Sequence, residues 1–275
     1  MHEHFRLEPC ISSCRCRSRK EYSPIMADPR FFLPADAALF DDALRNGTEI
    51  TLSEKASHHA MRALRLRNGE AVTVFCGTGR EWRGTVRFDA KAGYVALTES
   101  SDPQREPPVR LTLVQALVSP EKLDWIVEKA VETGVSEIVL TPAARSVTRL
   151  AGDRLEKRLQ KLRDIAVSAA EQCGRNVVPL IWAEASAAAA FQNTQADLRL
   201  LLAPGAPRPA AAAGGIRSAA FAVGPEGGFS PEEIASGEEA GWSAVLLGPR
   251  VLRTETAGIA AAVWLNTVLG DYPRA

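Results

Sequence analysis

Residues 222–234 read AVGPEGGFSPEEI, an apolar run that passes through three glycines and two prolines into a helix start, with Glu226 inside the bend. Gly224, Gly227 and Gly228 permit φ above zero and let another molecule approach the backbone without meeting a side chain. The stretch contains neither G-K-[ST] nor G-x-G-x-x-G, so it is neither of the two common phosphate loops. Glu226 would repel a phosphate, whereas it suits a cationic ligand or a ribose hydroxyl. Residues 245–261, VLLGPRVLRTETAGIAA, repeat the design: apolar strand, Gly-Pro, loop, then a helix start rich in threonine. Arg253 and Glu255 stand in that loop and first turn, beside backbone groups that an adenine or an amino-acid tail could use. Two such loops on successive strands make one concave site.

The elements that must position these loops follow from periodicity. Ser230 followed by Pro231, Glu232 and Glu233 is a capping box with proline in the first turn. The glycines therefore end a buried strand directly before a helix, the edge of an open α/β sheet where ligands bind. From residue 109 onward strands and helices alternate: VRLTLVQAL, a helix capped by Ser119 with Pro120 at its first position, SEIVLTP, a long helix over DRLEKRLQKLRDIAVSAAEQC, then DLRLLLAPG, SAAFAVG and SAVLLG. The alternation implies a parallel sheet covered on both faces, an α/β domain spanning residues 109–275. Residues 26–99 carry short alternating apolar groups between Gly-containing turns, read as a small β-barrel with one helix, SEKASHHAMRAL. SSDPQREPP, residues 100–108, is the linker.

Composition narrows the function classes. Of 275 residues 46% are apolar and 24% charged, and 33 basic residues balance 33 acidic ones, so no global charge advertises nucleic acid or a membrane. No apolar run is long enough for a membrane helix. The five cysteines are an odd number, and Cys10, Cys14 and Cys16 crowd into an aperiodic N-terminal stretch. This reads as a reduced, cytoplasmic protein with neither disulfide framework nor metal site. Residues 1–25 read as a disordered extension.

Together GPEGGFSPEE and LGPRVLRTETA resemble the RsmE family of SPOUT-class RNA methyltransferases. EKAVETGVSEIVLTPAARS, AAEQCGRNVVP and HHAMRALRLRNGE resemble other motifs of that family, so the likeness covers nearly everything from Met26 onward. The resemblance implies S-adenosylmethionine as methyl donor with no metal, N3 of one uridine in 16S rRNA as acceptor, a trefoil knot in the α/β domain, a PUA-like N-terminal barrel, and a homodimer. On this reading the donor is held by Leu202, Gly224, Gly228, Leu247, Gly248, Leu252 and Thr254. Arg145 follows SEIVLTP where related SPOUT enzymes keep an arginine near the target, and it is preferred to Arg175 and Arg253 for stabilising the uridine anion. A guanidinium does not give up its proton, so Glu226 or Glu255 is left to accept one.

The small-subunit rRNA needs a surface as well as a site. From Lys55 to Lys91 eight Lys/Arg stand against three Asp/Glu, with Trp82 among them. That local excess can follow a phosphate backbone. Arg62, Arg65, Arg67, Arg83 and Arg175 are the expected RNA contacts. The residues leave open two other readings: methylation elsewhere, such as a ribose 2′-hydroxyl of tRNA, or a non-catalytic RNA-binding assembly protein.

Overall fold

The structure, a computed structural model, describes residues 28–209 and 214–273. The extension expected for residues 1–25 lies outside the described residues. The N-terminal lobe is a five-stranded sheet ordered β1-β3-β4-β5-β2, built from Arg30–Phe32, Glu49–Thr51, Ala71–Phe75, Glu81–Phe88 and Gly93–Ser101 as β1 to β5. Its hydrogen-bonded ladder is open, with β1 and β2 at the edges, rather than a ring closed by pairing. β5 continues to Ser101, two residues into the expected linker. Two helical segments, not one, cover the lobe. The helix missed in the sequence is α1, Ala37–Asn46, capped by Asp36, which accepts from the Ala38 amide, and stopped at Gly47 with φ +64°. Its Phe40 stacks on Trp82 with ring centroids 4.7 Å apart, and both side chains are fully buried. The expected helix is present as α2, Glu54–His58, running into a π-helical turn at His59–Ala63.

The second lobe is a six-stranded, wholly parallel sheet in the order β11-β9-β10-β6-β7-β8. Its strands are Arg110–Ala116, Glu137–Thr141, Leu180–Ala183, Leu198–Leu202, Ser218–Val223 and Ser243–Val245, β6 to β11. Period-two alternation divides the core in two. Leu111 and Leu113 of β6 with Phe221 of β10 face helices α3, Pro120–Glu132, α4, Gly152–Cys173, and α7, Thr254–Val268. Val114, Ala116, Ala220 and Ala222 face α5, Ala187–Asn193, and α6, Pro231–Glu239. The chain runs outward from β6 through β7 to β8, then returns to lay β10 between β6 and β9. The carboxyl ends of β9, β10 and β11 therefore lie side by side at the reversal of strand order, the crevice where open α/β sheets take ligands. No helix among the described residues is long and apolar enough to cross a membrane.

Candidate functional site

At those strand ends lies a cavity of about 350 Å³, within the range typical of small-ligand pockets. Every residue expected to hold the donor lines it: Leu202 from the end of β9, Gly224 and Gly228 after β10, Leu247 and Gly248 after β11, Leu252 and Thr254 at the start of α7. The walls are made as the sequence suggests. Ser230 accepts from the Glu233 amide at 3.2 Å while the Glu233 carboxylate accepts from the Ser230 amide at 2.8 Å, so α6 begins at a fixed point. The other oxygen of Glu233 takes the Ala144 amide at 2.8 Å, which ties the loop after β7 to the same cap.

That tie brings Arg145 to the glycine bend, 82 residues away in sequence. Its Nη1 donates to the Gly227 carbonyl at 2.8 Å, and a Cβ on Gly227 would stand 3.2 Å from the Arg145 stem. Arg145 itself is exposed and is not among the residues that line the cavity. Glu226 and Arg253 line the cavity at its exposed rim. Lys122, from the first turn of α3, sits between the two acids, with Nζ 2.8 Å from Glu226 and 3.9 Å from Glu255. Its hydrogen bond holds the Glu226 carboxyl below the ordinary glutamate value. Glu226 is thus ionised at neutral pH and a weakened proton acceptor. The Oε2 of Glu255 is buried and makes no hydrogen bond among the described residues.

One expected RNA contact is corrected. Arg175 is only 4% exposed. Its Nη1 donates to the carbonyls of Val131 and Val135 at 2.9 and 2.8 Å, and Nε and Nη2 grip Glu106, so the whole guanidinium is spent inside the fold. Trp82 is fully buried and donates to Asp41 at 3.0 Å, leaving no face for a base. The basic excess of residues 55–91 is also smaller in space than in sequence. Lys55, Arg80, Arg83 and Arg87 pair with Asp164, Asp41, Asp28 and Glu49, all outside that segment. Arg62, Arg65 and Arg67 are exposed with side chains in no ion pair among the described residues, clustered on the π-helical turn and just beyond it.

A model of the RNA methyltransferase domain matches residues 105–266, and one of the RNA methyltransferase PUA domain matches residues 52–91. The chain is 36% identical over 222 residues to the ribosomal RNA small subunit methyltransferase E of Mycobacterium bovis, covering 76% of this chain and 82% of that protein. The chain belongs to the RsmE family of RNA methyltransferases. A further RsmE relative, from Bacillus subtilis, is 29% identical over 74% of this chain and 84% of its own length. The crystal structure of an RsmE protein from Neisseria gonorrhoeae, bound to S-adenosyl methionine, superposes with a TM-score of 0.80 at 30% identity, covering 90% of this chain and all of that one.

Sequence reasoning missed two residues of this RsmE-type site. Lys122 gives no local signal, because only the fold sets the first turn of α3 beside the glycine bend. Gln115 does give one: it is a polar residue inside the apolar strand VRLTLVQAL. Fully buried, it donates to Thr254 Oγ1 at 3.1 Å, and Thr254 in turn donates to the Gly224 carbonyl at 2.7 Å. The chain Gln115–Thr254–Gly224 thus ties the start of α7 to the glycine bend through the central strand.

Proposed function

We propose that this chain transfers the methyl group of S-adenosylmethionine to N3 of one uridine in the 16S rRNA of the small ribosomal subunit, in the cytoplasm. The donor fits the residues present. Leu202, Leu247 and Leu252 offer apolar walls to a purine, Gly228 and Gly248 leave backbone open beside it, Gly224 lets the bend fold close against itself, and Thr254 holds the bend in place. Glu226 and Glu255 suit a ligand that carries positive charge. Bound there, the donor supplies an electrophilic methyl group. The described residues hold no cluster of metal-ligating side chains.

The observation that carries the acceptor side is Arg145 on the glycine bend, anchored through Gly227 and still exposed. Removing the imide proton of uracil leaves negative charge spread over N3 and the two ring oxygens. A fixed guanidinium at that point stabilises the charge as it develops and loses no proton itself. Glu226 is committed to a hydrogen bond from Lys122, so Glu255, whose buried Oε2 makes no hydrogen bond among the described residues, is the proposed proton acceptor. Arg253 lies exposed on the same rim as a second cation for the developing charge. The donor set itself, Leu202 to Thr254, belongs to this proposal as much as the acceptor set does.

The same reading includes a trefoil knot in the α/β lobe and the division into an RNA-gripping lobe at 26–99 and a methyl-transfer lobe at 109–275. It also includes a homodimer: Val251 and Leu252 beside the cavity are 79% and 37% exposed, and Trp125 of α3 and Val263 of α7 are 41% and 38% exposed, apolar area that a second copy would cover. Arg62, Arg65 and Arg67 are the proposed RNA contacts of the first lobe, with the paired Arg83 a weaker one. The test is tritiated-methyl transfer to assembled small subunits and to protein-free 16S rRNA, followed by nucleoside analysis. The expected product is 3-methyluridine, mainly on the assembled particle. A product of 2′-O-methyluridine, or no transfer to either substrate, overturns the proposal.

A further inference from the structure

The proline-rich segment between the lobes has the composition of a loose tether, and lobes joined by such a tether move independently unless their interface is large. Here the tether is gripped from both sides. Its Arg105 donates to Glu81 of β4 at 2.6 Å and to the Gly174 carbonyl at 3.0 Å. Its Glu106 carries the buried Arg175, whose remaining nitrogen, Nη1, holds the corner between α3 and β7. Glu81 also takes Arg30 of β1 at 2.8 Å and Asn176 at 3.1 Å, and Asn176 donates to the Gly79 carbonyl at 3.0 Å. One carboxylate of the first lobe is thus shared by its own β1, by the tether and by the second lobe.

Further contacts lie along α4, which at 22 residues is roughly 33 Å long. Glu171 accepts the Phe32 amide at 2.9 Å, and Asp164, about 10 Å further back along the helix, pairs with Lys55 of α2 at 3.0 Å. Beside these polar contacts, Phe75 of β3 is fully buried as part of the second lobe's core, and Phe32 packs against the same cluster. A single contact would leave a hinge. Contacts spread along a helix, with shared apolar packing beside them, remove it.

We propose that Glu81, Glu106 and Arg175 are positioning residues that hold the N-terminal lobe at a preset angle to the methyl-transfer lobe, so that the protein spans its two RNA contacts as a rigid gauge. The RNA must then present its target base at the distance the clamp defines. This rests on the function proposed above for the RNA step, and only for that step. Full-length protein carrying Glu81→Gln, Glu106→Gln or Arg175→Lys is compared with the parent by scanning calorimetry, by donor titration, and by methyl transfer on assembled small subunits.

The parent is expected to unfold in one transition. The variants should separate into two, keep the donor Kd within about twofold, and raise the KM for the particle about tenfold, about 1.4 kcal/mol, at nearly constant kcat. Arg175→Lys should not rescue, because an ammonium cannot reach Glu106 and two diverging carbonyls in a planar fork. A merely structural role would lower stability without this KM-specific loss. If Glu81→Gln fails to fold, the more exposed Glu106 decides through its own variant. A single transition in every folded variant, or an unchanged KM, overturns the clamp. If the parent methylates no RNA, the functional proposal fails while calorimetry still decides the coupling.

Discussion

Gly224→Ala should loosen donor binding through the protein's own backbone, before any ligand is considered. A Cβ built on Gly224 meets the Phe229 amide nitrogen at 2.7 Å, the Gly228 carbonyl carbon at 2.9 Å and the Gly228 Cα at 3.0 Å. All three are main-chain atoms, so no rotamer change relieves the contact. Restoring ordinary separation of 3.4 Å from the nitrogen displaces the bend by 3.4 − 2.7 = 0.7 Å. Overpacking of this kind costs about 1–3 kcal/mol. The bend is held by the Thr254 hydroxyl at the Gly224 carbonyl and lines the cavity. Most of the cost therefore falls on the site, a loss of about 5–150-fold in donor affinity. Calorimetric titration with S-adenosylmethionine and a thermal melt are the assays. Gly248→Ala is the matched control, since its Cβ would meet nothing within 4 Å, and any affinity it loses reports the approach of the donor itself. Gly224→Ala binding as tightly as the parent, with an unchanged Tm, would refute the reasoning.

Arg145→Ala should lower kcat by at least a hundredfold, the scale of losing one charge-stabilising donor, while donor Kd stays within about threefold; rapid-quench assays with saturating donor check this, and normal turnover removes Arg145 from the mechanism. Charge reversal at Arg65 should raise the KM for RNA and flatten its salt dependence more than reversal at Arg83, because Arg83 is already paired with Asp28; equal effects in a salt series would show that the pairing does not matter. In acid the clamp should loosen. Burial pushes Glu81 up, but hydrogen bonds from Arg30, Arg105 and Asn176 more than offset it, leaving the carboxyl below its ordinary value of 4.5. A depressed carboxylate stabilises the fold above its unfolded pKa, and that contribution is lost as pH falls through the folded one. The Tm difference between parent and Glu81→Gln should therefore be full at neutral pH and shrink as pH falls below 4.5 and through the depressed folded value; a difference undiminished in strong acid contradicts the assignment.

The sequence by itself determined the elements whose signals are local. The capping box at Ser230, the strand-to-helix passage through Gly224–Gly228 and the strands β6, β7, β9, β10 and β11 all rest on contacts between residues a few positions apart, and the structure has each of them. It also identified the family, since the two loops are long and specific runs. Short elements escaped it: β8 has four residues and α5 is an alanine-rich helix of seven, too brief to show a period. α1 carried caps at Asp36 and Gly47 that a local reading could have used.

Only the tertiary structure decided which charges are free. An arginine in sequence is a cation available to RNA, but its partner is set by contacts dozens of residues away. Asp28, Asp41, Glu49 and Asp164 neutralise half of the apparent basic patch, and Glu106 takes Arg175 into the interior. The same distance hides Lys122 from any reading of the glycine bend, and it hides the role of the proline-rich tether. Composition records how freely a segment can move when nothing holds it. Here the grip on the tether comes from Glu81 of β4 and from Arg175 beyond the end of α4, which only the folded chain brings together.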